Sequence, residues 1–164
     1  MTTFTGTFSA VAVTAAQDCF ELVAATNARV RIRDIKLAQY TDFGDAAAEI
    51  LSVNVIRGFT VAGTGGSTVT PSNVHPWSRT SDSTVLANNT TVANTGTGAV
   101  LIADAFNIAA GWSLRDVMLL NIVDPHDGLW LEAAQRLVVR ITAPADSLTM
   151  NGTIVFEEHP QRPQ

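Results

Sequence analysis

The sequence has few charged residues, and most of them are acidic. Of 164 residues only 15% are charged, with 15 acidic and 10 basic side chains and a formal net charge of −5. Soluble domains usually carry about 25% charged residues. Proteins that bind nucleic acid through its phosphates concentrate lysine and arginine on one surface, whereas this chain has a single lysine, Lys36, beside nine arginines. We therefore expect no direct binding to nucleic acid.

Cysteine, long apolar runs and targeting features are also scarce. The single cysteine, Cys19, cannot form an internal disulfide, and its strand-like surroundings from Asp18 to Leu22 favour a buried structural thiol over a nucleophile. No run of 18 apolar residues is present, so we expect no membrane span. Residues Met1–Gly6 lack the basic and apolar regions of a secretory signal. These features predict synthesis and folding in a cytoplasm.

Motifs of common catalytic sites are missing as well. The sequence contains no G-x-S-x-G, H-E-x-x-H or phosphate-binding glycine loop. The three histidines are too far apart to suggest the clustered ligands of a metal-binding jelly roll; they are His75, His126 and His159. We therefore predict a protein that is not an enzyme and that needs no metal or cofactor.

One local group of carboxylates and imidazole has two interpretations. Asp124, His126 and Asp127, with Asp116 nearby in sequence, could hold a divalent ion. Pro125 and the Asp-Gly pair that follows it also fit a tight turn, because proline fixes φ and Asp-Gly tolerates positive φ. The turn is the favoured interpretation.

The hydrophobic content, at 46%, excludes disorder for most of the chain. Short alternating segments separated by Gly, Asn, Asp and Pro recur along it, which is typical of an all-β protein. We predict an antiparallel β-sandwich, jelly-roll-like, with about eight to ten strands. The candidate strands are Thr5–Val13, Cys19–Ala24, Arg29–Gln39, Glu49–Phe59, Val100–Phe106, Leu114–Ile122, Leu129–Glu132, Gln135–Ala143 and Leu148–Glu157. The last has the clearest pattern, whereas the run Met118–Leu120 within Leu114–Ile122 could instead be helical.

Several positions within these segments allow finer predictions. The apolar parity changes near Arg33 and Asp34, which indicates a β-bulge or a bend. The pattern of Glu49–Phe59 places Phe59 on one face with Leu51, Val53 and Val55, and Trp112 and Trp130 are expected in the core. In Gln135–Ala143, Val138 and Arg140 face away from Leu137, Val139 and Ile141.

A single domain is expected over residues 1–158. A loop-rich excursion interrupts it at about 60–98, either as a stretch with short strands, one of them near Val85 and Leu86, or as two long loops. Structureless loops of this length are uncommon in compact domains unless they are functional. Residues 159–164 are predicted to form an extended C-terminal tail, which contains two prolines.

Two groups of residues are candidates for a subunit or shell interface. Arg29, Arg31 and Arg33 alternate along one strand and therefore share a face, which is either solvated or in contact with a neighbouring subunit.

The second group lies in and beside the excursion. An exposed tryptophan in a glycine-rich loop makes a good docking anchor, so His75-Pro76-Trp77 could be a recognition tip. The favoured alternative is that Trp77 pins the loop onto its own domain or a neighbouring subunit. Phe59, where the excursion begins, completes the candidate interface.

Four stretches of the chain resemble small structural proteins encoded by tailed bacteriophages. They are Phe8–Asp18, Phe43–Glu49, Gly63–Ser67 and Leu148–Glu158. Similar β-proteins serve as capsid decoration or cement proteins, and others lie in the neck or tail. The resemblance implies a virion component, and it does not by itself choose the location. For a decoration subunit of the head we expect contacts with the major capsid protein and with copies of itself, as a trimer.

Three functions are therefore compared. The first is a decoration or cement subunit that coats and stabilises a phage capsid. The second is a β-sandwich binding module of a neck or tail, which recognises a receptor or carbohydrate. The third, a jelly-roll enzyme, is disfavoured by the sparse histidines.

Overall fold

The structure of the protein is a computed structural model. It describes residues 1–41, 49–77, 79–107, 109–115, 128–142, 144 and 147–160. Within these residues the chain forms twelve β-strands. Alternating burial produces them: Leu137, Val139 and Ile141 are buried in the core between the sheets, and Arg140 points away from it. The strands are β1 (Thr2–Val13), β2 (Gln17–Val23), β3 (Ala28–Thr41), β4 (Ile50–Arg57), β5 (Ser67–Val69), β6 (Ser72–Asn73), β7 (Thr84–Asn89), β8 (Ala99–Asn107), β9 (Trp112–Arg115), β10 (Leu129–Leu131), β11 (Arg136–Ile141) and β12 (Leu148–Pro160).

The strands form two antiparallel sheets. The first has the order β10-β3-β12-β1-β6, with β9 also paired to β3, and the second has the order β5-β7-β2-β11-β4-β8. Strands β9 and β10 pair with successive parts of β3, so they act as one interrupted strand. Without β5, β6 and β7, each sheet then has four strands, and counted along the chain their orders are 6-3-8-1 and 2-7-4-5. This arrangement is the connectivity of a jelly roll.

The predicted all-β sandwich is therefore confirmed, and the larger strand count has a simple origin. The excursion between β4 and β8 adds three short strands, and the interruption between β9 and β10 adds a fourth. Strand β7 includes Val85 and Leu86, as predicted. The bulge near Arg33 is also confirmed. Two neighbouring residues of β12, Val155 and Phe156, pair with Asp34 and Ile32 of β3, so Arg33 is the extra residue.

Strand β12 continues further than the sequence indicates. His159 and Pro160, expected in the tail, pair with Arg29 and Ala28 of β3. The last partner of β12 on the β1 side is Thr2, which pairs with Glu158. Pro160 therefore has a strand on one side only, where a missing N–H is tolerated. Residues 161–164 lie outside the described residues.

Two aromatic residues differ from their expected positions. Phe59 does not join Leu51 and Val55 in the core, because β4 ends at Arg57 and Gly58, at φ 102°, turns the chain outwards. Trp130 lies between the buried Leu129 and Leu131 and therefore points to the outer face of the first sheet. Trp112 is in the core, as predicted.

The second sheet is covered on both faces. Ile56, Val138 and Ala93 are buried but do not belong to the core cluster between the sheets. Val138 faces away from the core, as predicted. It is buried nevertheless, because the excursion forms a third layer over this face of the sheet. Strand β2 is consequently buried on both sides along nearly its whole length.

Close packing at Gly152 yields a testable prediction. An added Cβ there would run into the rings of Phe8 and Phe20, whereas a Cβ on Gly6 would meet its nearest atom, Ile154 Cγ2, at 3.3 Å. We expect Gly152→Ala to lower the free energy of unfolding by about 1–3 kcal/mol through overpacking. The matched variant Gly6→Ala should change it by less than about 1 kcal/mol, because reduced chain entropy offsets the mild contact. Urea denaturation measures both, and equal losses would contradict the packing argument.

Candidate functional site

The excursion begins and ends as an irregular antiparallel ribbon. Val61 bridges to Asn94 and Thr64 to Thr91, and backbone hydrogen bonds of 2.8–3.2 Å connect both pairs. The two ribbon segments, 60–66 and 91–97, have nearly the same sequence, TVAGTGG and TVANTGT. The buried positions are Gly63 and Ala93, which this sequence match does not align, because it places Gly63 opposite Asn94. The two bridges are nevertheless related by a local two-fold axis, since Val61 pairs with Asn94 as Thr91 pairs with Thr64.

Each half of the ribbon is bound by its own buried carboxylate of β2. Glu21 Oε2 accepts hydrogen bonds of 2.9 Å from the Gly63 N–H and from Asn89 Nδ2. Its other oxygen lies 2.7 Å from Arg136 Nε in an ion pair, and the Arg136 guanidinium also donates to the Phe59 carbonyl. One charged pair thus holds the start of the excursion against the sheet.

Asp18 binds the second half of the ribbon, at Ala93. Arg140 donates to both of its oxygens, at 2.7 and 3.2 Å, and the Ala93 N–H donates to Oδ2 at 2.6 Å. Arg140 also donates to the Ala93 carbonyl at 2.7 Å and lies 5.0 Å from the centre of the Phe59 ring. Asp18 is fully buried, so these contacts replace its lost hydration.

The middle of the excursion crosses to the other sheet and forms a closed loop there. Strand β6 pairs with Phe4 and Thr5 of β1, and the Val74 N–H donates to the Thr3 carbonyl at 3.1 Å. Asn73 Nδ2 then donates to the Arg79 carbonyl at 2.8 Å, which closes the neck of the loop.

Glu158, on β12, fixes the chain that leaves this loop. Its carboxylate is 2.6 Å from Arg79 Nη2 and accepts hydrogen bonds from Ser81 Oγ at 2.6 Å and the Ser83 N–H at 2.8 Å. Burial by itself would raise the pKa of Glu158, but the hydrogen bonds from Ser81, Ser83 and the Asp82 N–H outweigh it and lower the pKa.

The loop above this neck carries the predicted residues His75 and Trp77. We call Val74–Trp77 the tip. All four of its residues are exposed, Trp77 to 94%, so Trp77 does not pin the loop onto its own domain. The tip is anchored on one side by β6 and on the other by Arg79. A rigidly held, exposed indole is the kind of side chain that anchors protein interfaces.

The three arginines of β3 do share the outer face of the first sheet, as predicted, but acidic and aromatic side chains surround them. Arg29 Nε lies 2.6 Å from Glu132, and Arg33 Nε lies 3.3 Å from Glu157.

Between them, Arg31 is stacked over Trp130 at 5.5 Å from the ring centre. The other neighbour of the Trp130 ring is His159, with 4.9 Å between the ring centres. Much of the positive charge of this face is therefore neutralised within the molecule.

The remaining candidates resolve as follows. Cys19 is fully buried, and burial followed by the charge of Asp18 raises the pKa of its thiol, which is the predicted structural role. Asp116, Asp124, His126 and Asp127 lie outside the described residues. In the described ranges there is no group of three His, Cys, Asp or Glu residues that could hold a metal ion, and no helix that could span a membrane.

Comparisons with protein families, with curated proteins and with solved structures found no match to this chain.

Sequence reasoning missed the residues that anchor the excursion. Arg136 and Arg140 have the same parity in β11, so their common outward face was readable from the pattern. Asp18 and Glu21 are three residues apart and share a face only because β2 has a register shift at Cys19, which alternation does not reveal. The repeated TVAGTG and TVANTG segments were visible in the sequence, but the repeat aligns Gly63 with Asn94 and not with Ala93. The identity of the covering layer could not be read from either.

The Asp18 site gives a prediction for stability. Arg140→Met keeps the length of the side chain but leaves Asp18 buried without its cation, and we expect a loss of about 3–5 kcal/mol. Arg115→Met, at an exposed position of β9, is the control and should change stability by less than about 0.5 kcal/mol. Chemical denaturation measures both. Similar effects of the two substitutions would show that the ion pair does not anchor the excursion.

The Glu158 site gives a prediction for pH. Because its pKa is lower in the folded state, its contribution to stability is complete above its ordinary pKa of 4.5 and is lost as the pH falls through the lowered value. Glu158→Gln should therefore be less stable than the parent at neutral pH, and the difference should narrow in acid. Glu132→Gln, in a surface pair, is the control. If the difference in unfolding free energy between Glu158→Gln and the parent is the same at about pH 7 and about pH 3, Glu158 does not stabilise the fold through its charge.

Proposed function

We propose that this chain is a non-enzymatic structural protein of a bacteriophage particle, a decoration or cement subunit that coats and stabilises the capsid. The observation that carries the proposal is the tip, an apolar segment with a 94% exposed indole on a base held by β6 and by Glu158. Strand pairing of β6 and the ion pair between Arg79 and Glu158 hold the base of the tip in place before any partner arrives. Such preorganisation lowers the entropy lost on docking.

Stabilisation by mass action is the proposed mechanism. A protein that binds the assembled shell but not its dissociated subunits shifts the equilibrium towards the shell. Many copies related by the symmetry of the particle repeat the same contact, so each contact can be modest. The net charge of −5 would complement a shell surface that carries arginine or lysine.

A second candidate function uses the same tip. As a neck or tail component, the protein would present Trp77 to a receptor or carbohydrate, since an exposed aromatic ring also suits such ligands. The two functions differ in the number of copies that a particle needs and in the step that fails when the tip is altered.

Copy number tests the proposal directly. Quantitative mass spectrometry of purified particles should find this protein in numbers comparable to the major shell protein. A much smaller number would favour the neck or tail, and absence from the particle would eliminate both functions.

Heat resistance of the particle tests the mechanism. Particles that lack the protein should release their DNA at a lower temperature, and addition of the wild-type protein should restore the resistance. The Trp77→Ala protein should restore it poorly, because it lacks the anchor, whereas Tyr40→Ala, a change at another exposed aromatic residue, should restore it fully. If the particles lose no heat resistance without the protein, a cement role is wrong.

A further inference from the structure

A cleft of about 570 Å³ opens between the two sheets on the side where the excursion crosses from one to the other. One wall is β1 and the other is β5, the end strand of the second sheet. Its apolar lining consists of Phe8, Val11 and Val69, which belong to the core or pack against it. Clefts with an apolar base and a few polar groups are typical ligand sites.

The lining carries no charge. Apart from its apolar residues it is made of hydroxyl, amide and backbone groups, for example those of Thr7, Ser9, Thr68 and Asn88. A charged occupant would lose its hydration there without gaining a counter-charge, which is unfavourable. The cleft therefore favours an uncharged group that combines an apolar surface, for the base, with hydrogen-bonding atoms, for the polar walls.

The tip of this same protein has that chemistry. It consists of valine, histidine, proline and tryptophan, and it contains no Asp, Glu, Lys or Arg. A tryptophan side chain can bury about 150–250 Å² of surface, and its single N–H needs one acceptor, which the hydroxyl and carbonyl oxygens of the cleft walls can provide.

Trp77 does not occupy the cleft of its own chain, because it is 94% exposed and is not one of the residues that line the cleft. Strand β6 runs antiparallel to β1, so the chain passes Thr5 at the near end of the cleft and reaches Thr3 at Val74, moving away from the apolar base. From Thr3 to Phe8, the nearest large apolar residue of the base, the distance along β1 is about 17 Å at the rise of a strand. The three residues from Val74 to Trp77 span about 10 Å at most, and the chain would first have to turn back. A tip that packs on the apolar base therefore comes from another copy.

The geometry points to a contact in which the tip of one copy docks into the β1–β5 cleft of a second copy, with Trp77 in the cleft. This inference rests on the proposed function, because it names the partner of the tip on the particle. The two surfaces differ, so the contact is head-to-tail, and such contacts form a ring when the rotation closes and a filament when it does not. The expected trimer is one such ring.

A mixing experiment tests the contact. Trp77→Ala removes the tip and leaves the cleft intact, whereas Thr7→Glu combined with Thr68→Glu blocks the cleft at two exposed positions and leaves the tip intact. In sedimentation velocity the wild type should self-associate and each variant alone should be monomeric. An equimolar mixture of the two variants should form a dimer and nothing larger, because it contains one usable tip and one usable cleft per pair.

A control variant tests whether added negative charge alone prevents self-association. Ser52→Glu combined with Ser113→Glu adds the same charge at exposed positions away from the cleft and should leave self-association intact. A monomeric wild type, an associated Trp77→Ala protein, or a mixture without dimers would each overturn the inference. Circular dichroism on each variant verifies that it is folded.

Particle binding separates this inference from the proposed function. If the mixture forms no dimer but Trp77→Ala no longer binds particles, the tip contacts the shell protein, and only the inference is lost. If the mixture forms dimers but the protein is absent from particles, the contact between copies stands and the proposed function is lost.

Discussion

Two carboxylates buried on the outer face of the second sheet hold the excursion in place. Asp18 and Glu21 are fully buried, and each is paired with a partly exposed arginine, Arg140 or Arg136. A buried charge is costly unless it is also hydrogen-bonded. Backbone N–H groups of the excursion, at Gly63 and Ala93, supply such bonds. The sheet therefore needs the excursion as much as the excursion needs the sheet.

Everything further along the excursion follows from that placement. With both ends of the excursion fixed on one sheet, its middle crosses to the other, where β6 covers the start of β1 and Glu158 binds the returning chain. The neck between Asn73 and Arg79 then leaves the tip no contact with the sandwich except at its base. Trp77 is therefore exposed above a base that is held by β6 and by the hydrogen bond between Asn73 and Arg79.

The sequence predicted those parts of the structure that depend on alternation alone. The period-two pattern of β11 and β12 and the parity change at Arg33 were sufficient for strands and a bulge, because burial of one face determines register. Trp130 was misplaced because a three-residue strand has too few positions to define its inner face. Phe59 was misplaced because β4 ends at Arg57 and a single glycine, Gly58, turns the chain outwards. The candidate tip was visible from composition, but its anchor was not, since nothing local connects Glu158 with Arg79.

The wall of the cleft formed by β1 differs from an ordinary open sheet edge because it contains a β-bulge. Open edges invite pairing with any extended chain, and proteins protect them with bulges and short strands. Strand β1 has such a bulge between Phe8 and Val11, where Ala10 adopts a φ of 55° and its N–H is bound by Asn151 Oδ1. An added strand would lose register within a few residues, whereas an inserted side chain needs no register at all. The wall of the cleft therefore discourages strand addition and accommodates an inserted side chain such as Trp77, so that the proposed contact between copies needs no open edge.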